Sequence, residues 1–349
     1  MKIFEFDAIK IDSSSGFLDE KTRDIIIKFT LVSFLLSTLV YFINIRFDDI
    51  IYIPIMLSTF IFGIPHGAAD HLFLWGFTKR NNILTKLVLI KFYLLVAFIY
   101  LLTWFYFPFE SFIFFIIMTI YHWGKSDYIY GVISRGLKPG HYMINSFYTL
   151  LRGSIPILTP GIFFNEQYNE FILQLCSMII GTVYKDHIYL DTKFFIIICF
   201  LILITFYSLN FIFKKFKMNL ELSTIDHFEI FLLTLWFMFL PPLYAIGIYF
   251  IFWHSFRHIV RILALDSKKF YCSDINSLKN FCIRYFQLFS VMTLLSVLLF
   301  LILFIFMQQS SYIESIVNVL LLLIASLTLP HTLTVFFMDI LQTKLIKFK

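Results

Sequence analysis

Charge is scarce in this 349-residue chain: Asp, Glu, Lys and Arg make up 14% of it, about half the share of an ordinary soluble domain. Hydrophobic residues make up 60% and mean hydropathy is +0.85. That balance excludes a water-soluble globule, because too few polar residues remain to cover the apolar ones, so lipid must be the solvent. Acidic residues are in deficit, leaving a net charge of +6. The Lys and Arg fall between apolar runs rather than on one face, which fits positive-inside topology and gives no nucleic-acid partner. Cysteine is also sparse: Cys176, Cys199, Cys272 and Cys282 form no C-x-x-C spacing and read as apolar residues or free thiols. A cleavable signal peptide is not expected either. The first 25 residues carry Lys2, Glu5, Asp7, Lys10, Asp12, Asp19, Glu20 and Lys21, too much charge for one, so the first span is expected to stay as an anchor. No Pro/Gly/Ser linker, low-complexity tract or convincing repeat divides the chain.

What is abundant is apolar sequence in runs near the ~20 residues that cross a bilayer. They lie at 26–45, 50–75, 84–107, 193–213, 243–263, 285–307 and 312–338, with shorter or more polar candidates at 111–123, 141–160 and 227–240. The run at 168–183 is ambiguous: if it spans, the later basic loops and the tail fall on the opposite side from Lys79/Arg80 and Arg135/Lys138. Keeping all basic segments on one side makes it re-entrant or interfacial. The chain is then expected to cross about ten times, or about eight if the short candidates do not span, with both termini cytoplasmic. The expected architecture is an all-α polytopic bundle: a polar cytoplasmic segment at 1–25, then one integral-membrane catalytic domain at 26–349. Loops at 125–140 and 264–284 are expected to hold most of the remaining polar residues.

Within these runs sit four histidine motifs: Pro65-His66-Gly67-Ala68-Ala69-Asp70, Tyr121-His122-Trp123-Gly124, Trp253-His254-Ser255-Phe256-Arg257-His258 and Pro330-His331. Imidazole is costly in hydrocarbon, so its presence there points to a metal or proton site. Under the ten-span topology all four carrying segments run in the same direction, and each bears its motif in its later half. The motifs thus reach similar depth near the cytoplasmic leaflet and can meet at one centre. His254 and His258, four apart, share a helical face. Pro65 should kink or break its helix at His66. Asp70, one turn on from His66, is placed to accept the N–H of a ligand imidazole; its plainer reading is a helix-end carboxylate paired with Lys or Arg. Asp127 follows His122 by five residues. His331 reads equally as ligand, ligand support or hydrogen-bonded core residue. His71 points away from His66, and His141, His187 and His227 stand in loop-like polar contexts. Imidazoles without thiolates exclude iron–sulfur chemistry and suit Fe, Cu or Zn, with a closed structural zinc site disfavoured. Four imidazoles on ferrous iron would leave two positions open.

At these motifs the chain resembles the Brp/Blh family of bacterial and archaeal membrane proteins, the β-carotene 15,15'-dioxygenases. The likeness rests on Pro65-His66-Gly67-Ala68-x-Asp70, Tyr121-His122-Trp123-Gly124-x-x-Asp127, Trp253-His254-Ser255-x-Arg257-His258 and Pro330-His331. It implies a membrane enzyme of the inner (cell) membrane with non-haem Fe(2+) held by His66, His122, His254 and His258. With O2 it cleaves β-carotene at its central double bond into two all-trans-retinals. His331 is then a motif residue rather than a ligand, with Asp70 and Asp127 as supporting groups and no catalytic side chain beyond the ligands. A retinal-binding rhodopsin is the functional link it suggests. The 47 Phe, 19 Tyr and 5 Trp suffice to line an apolar tunnel, for which Tyr121, Trp123, Trp253 and Phe256 are candidates, although lipid-facing surface accounts for most aromatics. No conspicuous intramembrane Glu is expected, and oxidative cleavage needs no general acid. The alternatives are another membrane oxidase, a carotenoid hydroxylase or desaturase, which typically uses cytoplasmic H-x-x-H-H clusters absent here, and a non-enzymatic haem- or metal-binding membrane protein.

Overall fold

Residue types that start and stop helices divide the chain into α1 (Glu20–Ile43), α2 (Ile53–Ser58), α3 (Ile83–Tyr106), α4 (Pro108–Arg135), α5 (Tyr142–Phe163), α6 (Asn165–Ile180), α7 (Thr192–Lys214), α8 (Thr224–Phe239), α9 (Pro242–Tyr249) and α10 (Tyr312–Leu345). The computed structural model describes residues 10–11, 20–43, 52–59, 63, 67, 70, 83–135, 137–180, 189–259, 261, 283, 290, 293–294, 297–298, 301–302, 305, 312–345 and 347–348. Pro108 and Pro242 open α4 and α9, where a missing N–H costs nothing. Ser223 and Asp226 form a reciprocal capping box on α8, and Asp191 caps α7 by accepting from the Lys193 amide at 3.2 Å. His141, expected in a loop, caps α5 by accepting from the Met143 amide at 3.4 Å. Apart from a two-residue parallel pairing of β1 (Lys10–Ile11) with β2 (Lys347–Phe348), the described architecture is all-α, as expected.

Four described helices are long and apolar enough to cross a membrane: Ile26–Ile43, Leu84–Tyr106, Thr192–Lys214 and Val319–Ile340. The first three bury 22%, 17% and 11% of their windows, whereas Val319–Ile340 buries 56%. α10 is therefore central, and α1, α3 and α7 present broad apolar faces outward, the pattern of a membrane bundle whose outer surface meets hydrocarbon. Leu84, Leu94, Phe98, Phe200 and Phe211 are among the exposed apolar residues.

The largest departure from expectation is α4. The run at 111–123 was expected to end near its histidine, with a polar loop over 125–140. The helix instead continues to Arg135, about 42 Å at 1.5 Å per residue, and Ser126, Asp127 and Tyr128 are buried. The apolar count ended the run too early because Lys125 and Asp127 are charged; the charge of Asp127 is neutralised inside the bundle, as shown below. Most of 285–307 and all of 264–282 lie outside the described residues.

Where α4 crosses α5 the backbones touch. A Cβ on Gly124 would lie 1.8 Å from the Thr149 carbonyl oxygen, and one on Gly153 would lie 1.8 Å from that of Ile120. Only hydrogen fits at this crossing, the small-residue solution for close helix approach in membranes. Gly124 is two residues from His122 and Gly153 adjoins Arg152, so the crossing fixes the height of both side chains.

Candidate functional site

Between α9 and the described end of its helical run, the backbone of Phe250–Ser255 takes up a π-helical turn, then returns to α-helix over 256–259. A π turn loosens the hydrogen-bond ladder and is common at functional sites. Here α1 compensates: the Thr30 hydroxyl donates to the Phe252 carbonyl at 3.2 Å. The turn carries His254, and His258 follows one turn later. Both face α4, with ring centres 5.0 Å and 6.3 Å from that of His122. α10 adds His331, whose ring centre is 4.8 Å from His122 and 5.6 Å from His258. All four imidazoles are at most 5% exposed. Pro330 sits inside α10 without ending it, and Thr334 donates to the Pro330 carbonyl at 2.9 Å.

Three sequence-distant segments thus gather four imidazoles at one place, as the common depth of the motifs predicts. An imidazole bonded at about 2.1 Å carries its ring centre roughly 3.2 Å from an ion, so two ligands of one ion have centres about 4.5 to 6.5 Å apart. The four ring separations fall in that window. Among the described residues no group of three His, Cys, Asp or Glu side chains is placed to hold an ion; what fits a metal is the donor type and the spacing of the ring centres. His66 lies outside the described residues. Its described neighbours reach the cluster: a Cβ on Gly67 would be 3.9 Å from His331 Nδ1, and Asp70 Oδ2 lies 2.8 Å from the same nitrogen. Asp70 bonds His331 and also accepts from the Tyr93 hydroxyl at 2.9 Å; its expected partner His66 lies outside the described residues.

Asp127 lies elsewhere. Its carboxylate accepts from Arg152 Nη2 at 2.7 Å and Nε at 3.2 Å, and from the Trp253 indole N–H at 3.0 Å. Arg152 Nη2 also donates to Glu229 at 2.9 Å, and Arg257 Nη2 donates to Glu229 at 2.7 Å. The Arg257 guanidinium lies 3.7 Å from the centre of the Trp253 ring and 4.8 Å from that of Tyr130. Two cations and two carboxylates, all buried, balance one another; removing one would strand a buried charge at roughly 3–5 kcal/mol. A further buried pair joins Arg261 to Asp339. Asp127 is therefore an ion-pair residue rather than an imidazole support, and the expectation of no conspicuous intramembrane Glu fails at Glu229. Sequence reading passed over Arg152 and Glu229. Their signal was present, since both are ionisable residues inside the short candidates 141–160 and 227–240.

Of the tunnel candidates, Trp123 packs on His254 with ring centres 5.6 Å apart. Trp253 belongs to the ion cluster. Phe256 packs on Phe29 of α1 at 5.3 Å, and Tyr121 is half-buried within electrostatic range of Asp339. The other aromatic neighbours of His254 are Phe250 at 5.5 Å and Tyr249 at 6.4 Å, neither singled out by motif. His227 is exposed; His71 and His187 lie outside the described residues. Cys176 and Cys199 are free thiols, as expected.

No solved structure matches this chain. A relative from Halobacterium salinarum, described as "Probable beta-carotene 15,15'-dioxygenase Blh", is 27% identical over 302 residues, covering 83% of this chain and 85% of the relative. A family model described as "Beta-carotene 15,15'-dioxygenase" matches residues 57–339, a stretch that takes in every histidine motif and both carboxylates of the ion cluster. The chain belongs to the β-carotene 15,15'-dioxygenase family.

Proposed function

We propose that His66, His122, His254 and His258 hold one ferrous ion, and that this chain cleaves β-carotene beside it at the 15,15' double bond, O2 supplying one oxygen atom to each of two retinals. The observation that carries this reading is that the buried imidazoles of His254 and His258 lie with ring centres 5.0 and 6.3 Å from that of His122. Bound there, ferrous iron would supply the redox chemistry that lets O2 react with an alkene. The chain supplies the surroundings. Trp123, Tyr249 and Phe250 pack around His254, keeping water from it and offering flat apolar walls to a polyene. His331, held by Asp70, closes the cluster on the α10 side.

An apolar groove of about 470 Å³ between α3, α4 and α10 is lined by Val96, Ile99, Phe107, Phe114 and Leu329 among others, and Leu329 is two residues from His331. Three of the polar residues along it bond to one another, the Tyr100 hydroxyl donating to the Ser111 carbonyl at 2.9 Å and the Ser111 hydroxyl to Thr103 at 3.0 Å, while the fourth, Glu110, is exposed. A wall that has spent its donors internally suits a hydrocarbon dissolved in the bilayer. The distribution of Lys and Arg supports an inner-membrane protein with both termini cytoplasmic, and a retinal-binding rhodopsin is a fitting consumer of the product.

Expression in bacteria that accumulate β-carotene tests the reading. Bleaching with retinal as the product is the expected outcome. Hydroxylated or desaturated carotenoid with an intact chain would move the assignment to another membrane oxidase, and a haem Soret band in the purified protein would favour a haem carrier. Asp70→Asn should keep the fold and lose about 10–100-fold in activity or metal affinity, the usual effect of removing a carboxylate behind an imidazole. Because Asp70 acts through His331, its effect should be absent in a His331→Ala background; full additivity of the two changes would separate the residues.

A further inference from the structure

Three residues of the buried ion cluster are chain neighbours of the imidazoles: Asp127 follows His122 by five positions, Trp253 precedes His254 and Arg257 precedes His258. Successive helical residues diverge by about 100°, so a segment that aims a histidine at the centre aims the residue before it elsewhere. Here those neighbours converge on a single knot. Trp253 donates to Asp127 at 3.0 Å, Arg257 donates to Glu229 at 2.7 Å and stacks on Trp253 at 3.7 Å, and Arg152 joins Asp127 to Glu229 with contacts of 2.7 and 2.9 Å.

We propose that Asp127, Arg152, Glu229 and Arg257 are positioning residues that set the placement of His254 and His258 relative to His122. The inference rests on the metal-centre reading above. The π turn is the element that needs such a device. Its backbone ladder is loosened, so a small rotation of the segment would swing both imidazoles away from α4. Trp253 within the turn and Arg257 just after it are tied to α4 through Asp127 and to α8 through Glu229, which opposes that rotation at two successive turns. Arg152, from α5, is locked in height by the Gly124–Gly153 crossing. The requirement is for a planar fork, because Arg257 reaches both oxygens of Glu229, at 2.7 and 3.4 Å, while stacking on an indole. A lysine keeps the charge and provides neither contact geometry.

The test is Arg257→Lys in full-length protein reconstituted with Fe(II), or with Co(II) as a spectroscopic reporter. Per folded molecule, metal release to a chelator should be at least about tenfold faster, in line with losses seen when ligand support is removed. The Co(II) absorption bands should shift. Turnover should fall by about tenfold or more while KM for β-carotene stays within about twofold, since the groove is untouched. The double variant Glu229→Gln/Arg257→Gln removes one charge of each sign and should behave alike; if it does not fold, Arg257→Lys alone decides. Wild-type metal retention, bands and turnover in folded Arg257→Lys would overturn the proposal and reduce the cluster to a scaffold. Wild-type protein that holds no metal under the same conditions would instead overturn the metal-centre reading.

Discussion

His122→Ala, His254→Ala and His258→Ala should each abolish retinal formation and lose most of the bound iron, whereas His141→Ala should keep both. The size of the effect follows from the cluster. Each imidazole is buried and would ligate as a neutral ring, and an ion with one protein ligand fewer is held far less tightly. Stability should change much less than metal content, because removing a neutral ring strands no buried charge. His141, by contrast, stacks on Phe213 with ring centres 4.5 Å apart at the start of α5; its loss costs a helix cap, about 1 kcal/mol. Metal analysis on purified protein with retinal detected by chromatography checks the series. Equal iron in all four variants would sink the ligand assignment.

How much of this centre could be read from sequence depends on what each residue answers to. The histidines were legible because imidazole in an apolar run has no cheap structural explanation, and their common depth followed from counting spans. Their partners were harder. Asp70 stands one turn from His66 in sequence, and that proximity suggested His66 as a partner; its bond to His331, 261 positions away, is made by tertiary packing alone and could not be read from spacing. Asp127 was noticed for its distance from His122 yet serves Arg152 and Trp253, because helical geometry turns it away from the imidazoles. Arg152 and Glu229 belong to no histidine motif and were passed over. Read as a set, two buried cations and two buried carboxylates in neighbouring spans have to pair, whatever the fold. The π turn at Phe250–Ser255 has no signature of its own among aromatic and β-branched residues. It is visible only once Thr30 and the ion cluster are seen to support it.

The second large effect concerns the scaffold. Gly124→Ala and Gly153→Ala should each sharply reduce the yield of folded protein and lower its melting temperature. At either position the new methyl group would fall 1.8 Å from a backbone carbonyl oxygen, where contact distance is nearly twice that, and no side chain can swing aside because the obstacle is main chain. α4 and α5 must move apart, at a cost of roughly 3 kcal/mol or more, the upper end for overpacking. The separation also pulls Asp127 from Arg152, so the damage reaches the ion cluster and, through α4, the placement of His122. Gly67→Ala is the steric control, because among the described residues a Cβ there meets His331 Nδ1 alone, at 3.9 Å, an ordinary contact, and the fold should survive it. Gel-filtration yield and thermal unfolding in detergent measure the difference. Gly124→Ala protein that melts with the wild type would mean that the two helices do not meet at these glycines, and that the height of His122 is set by something other than their crossing.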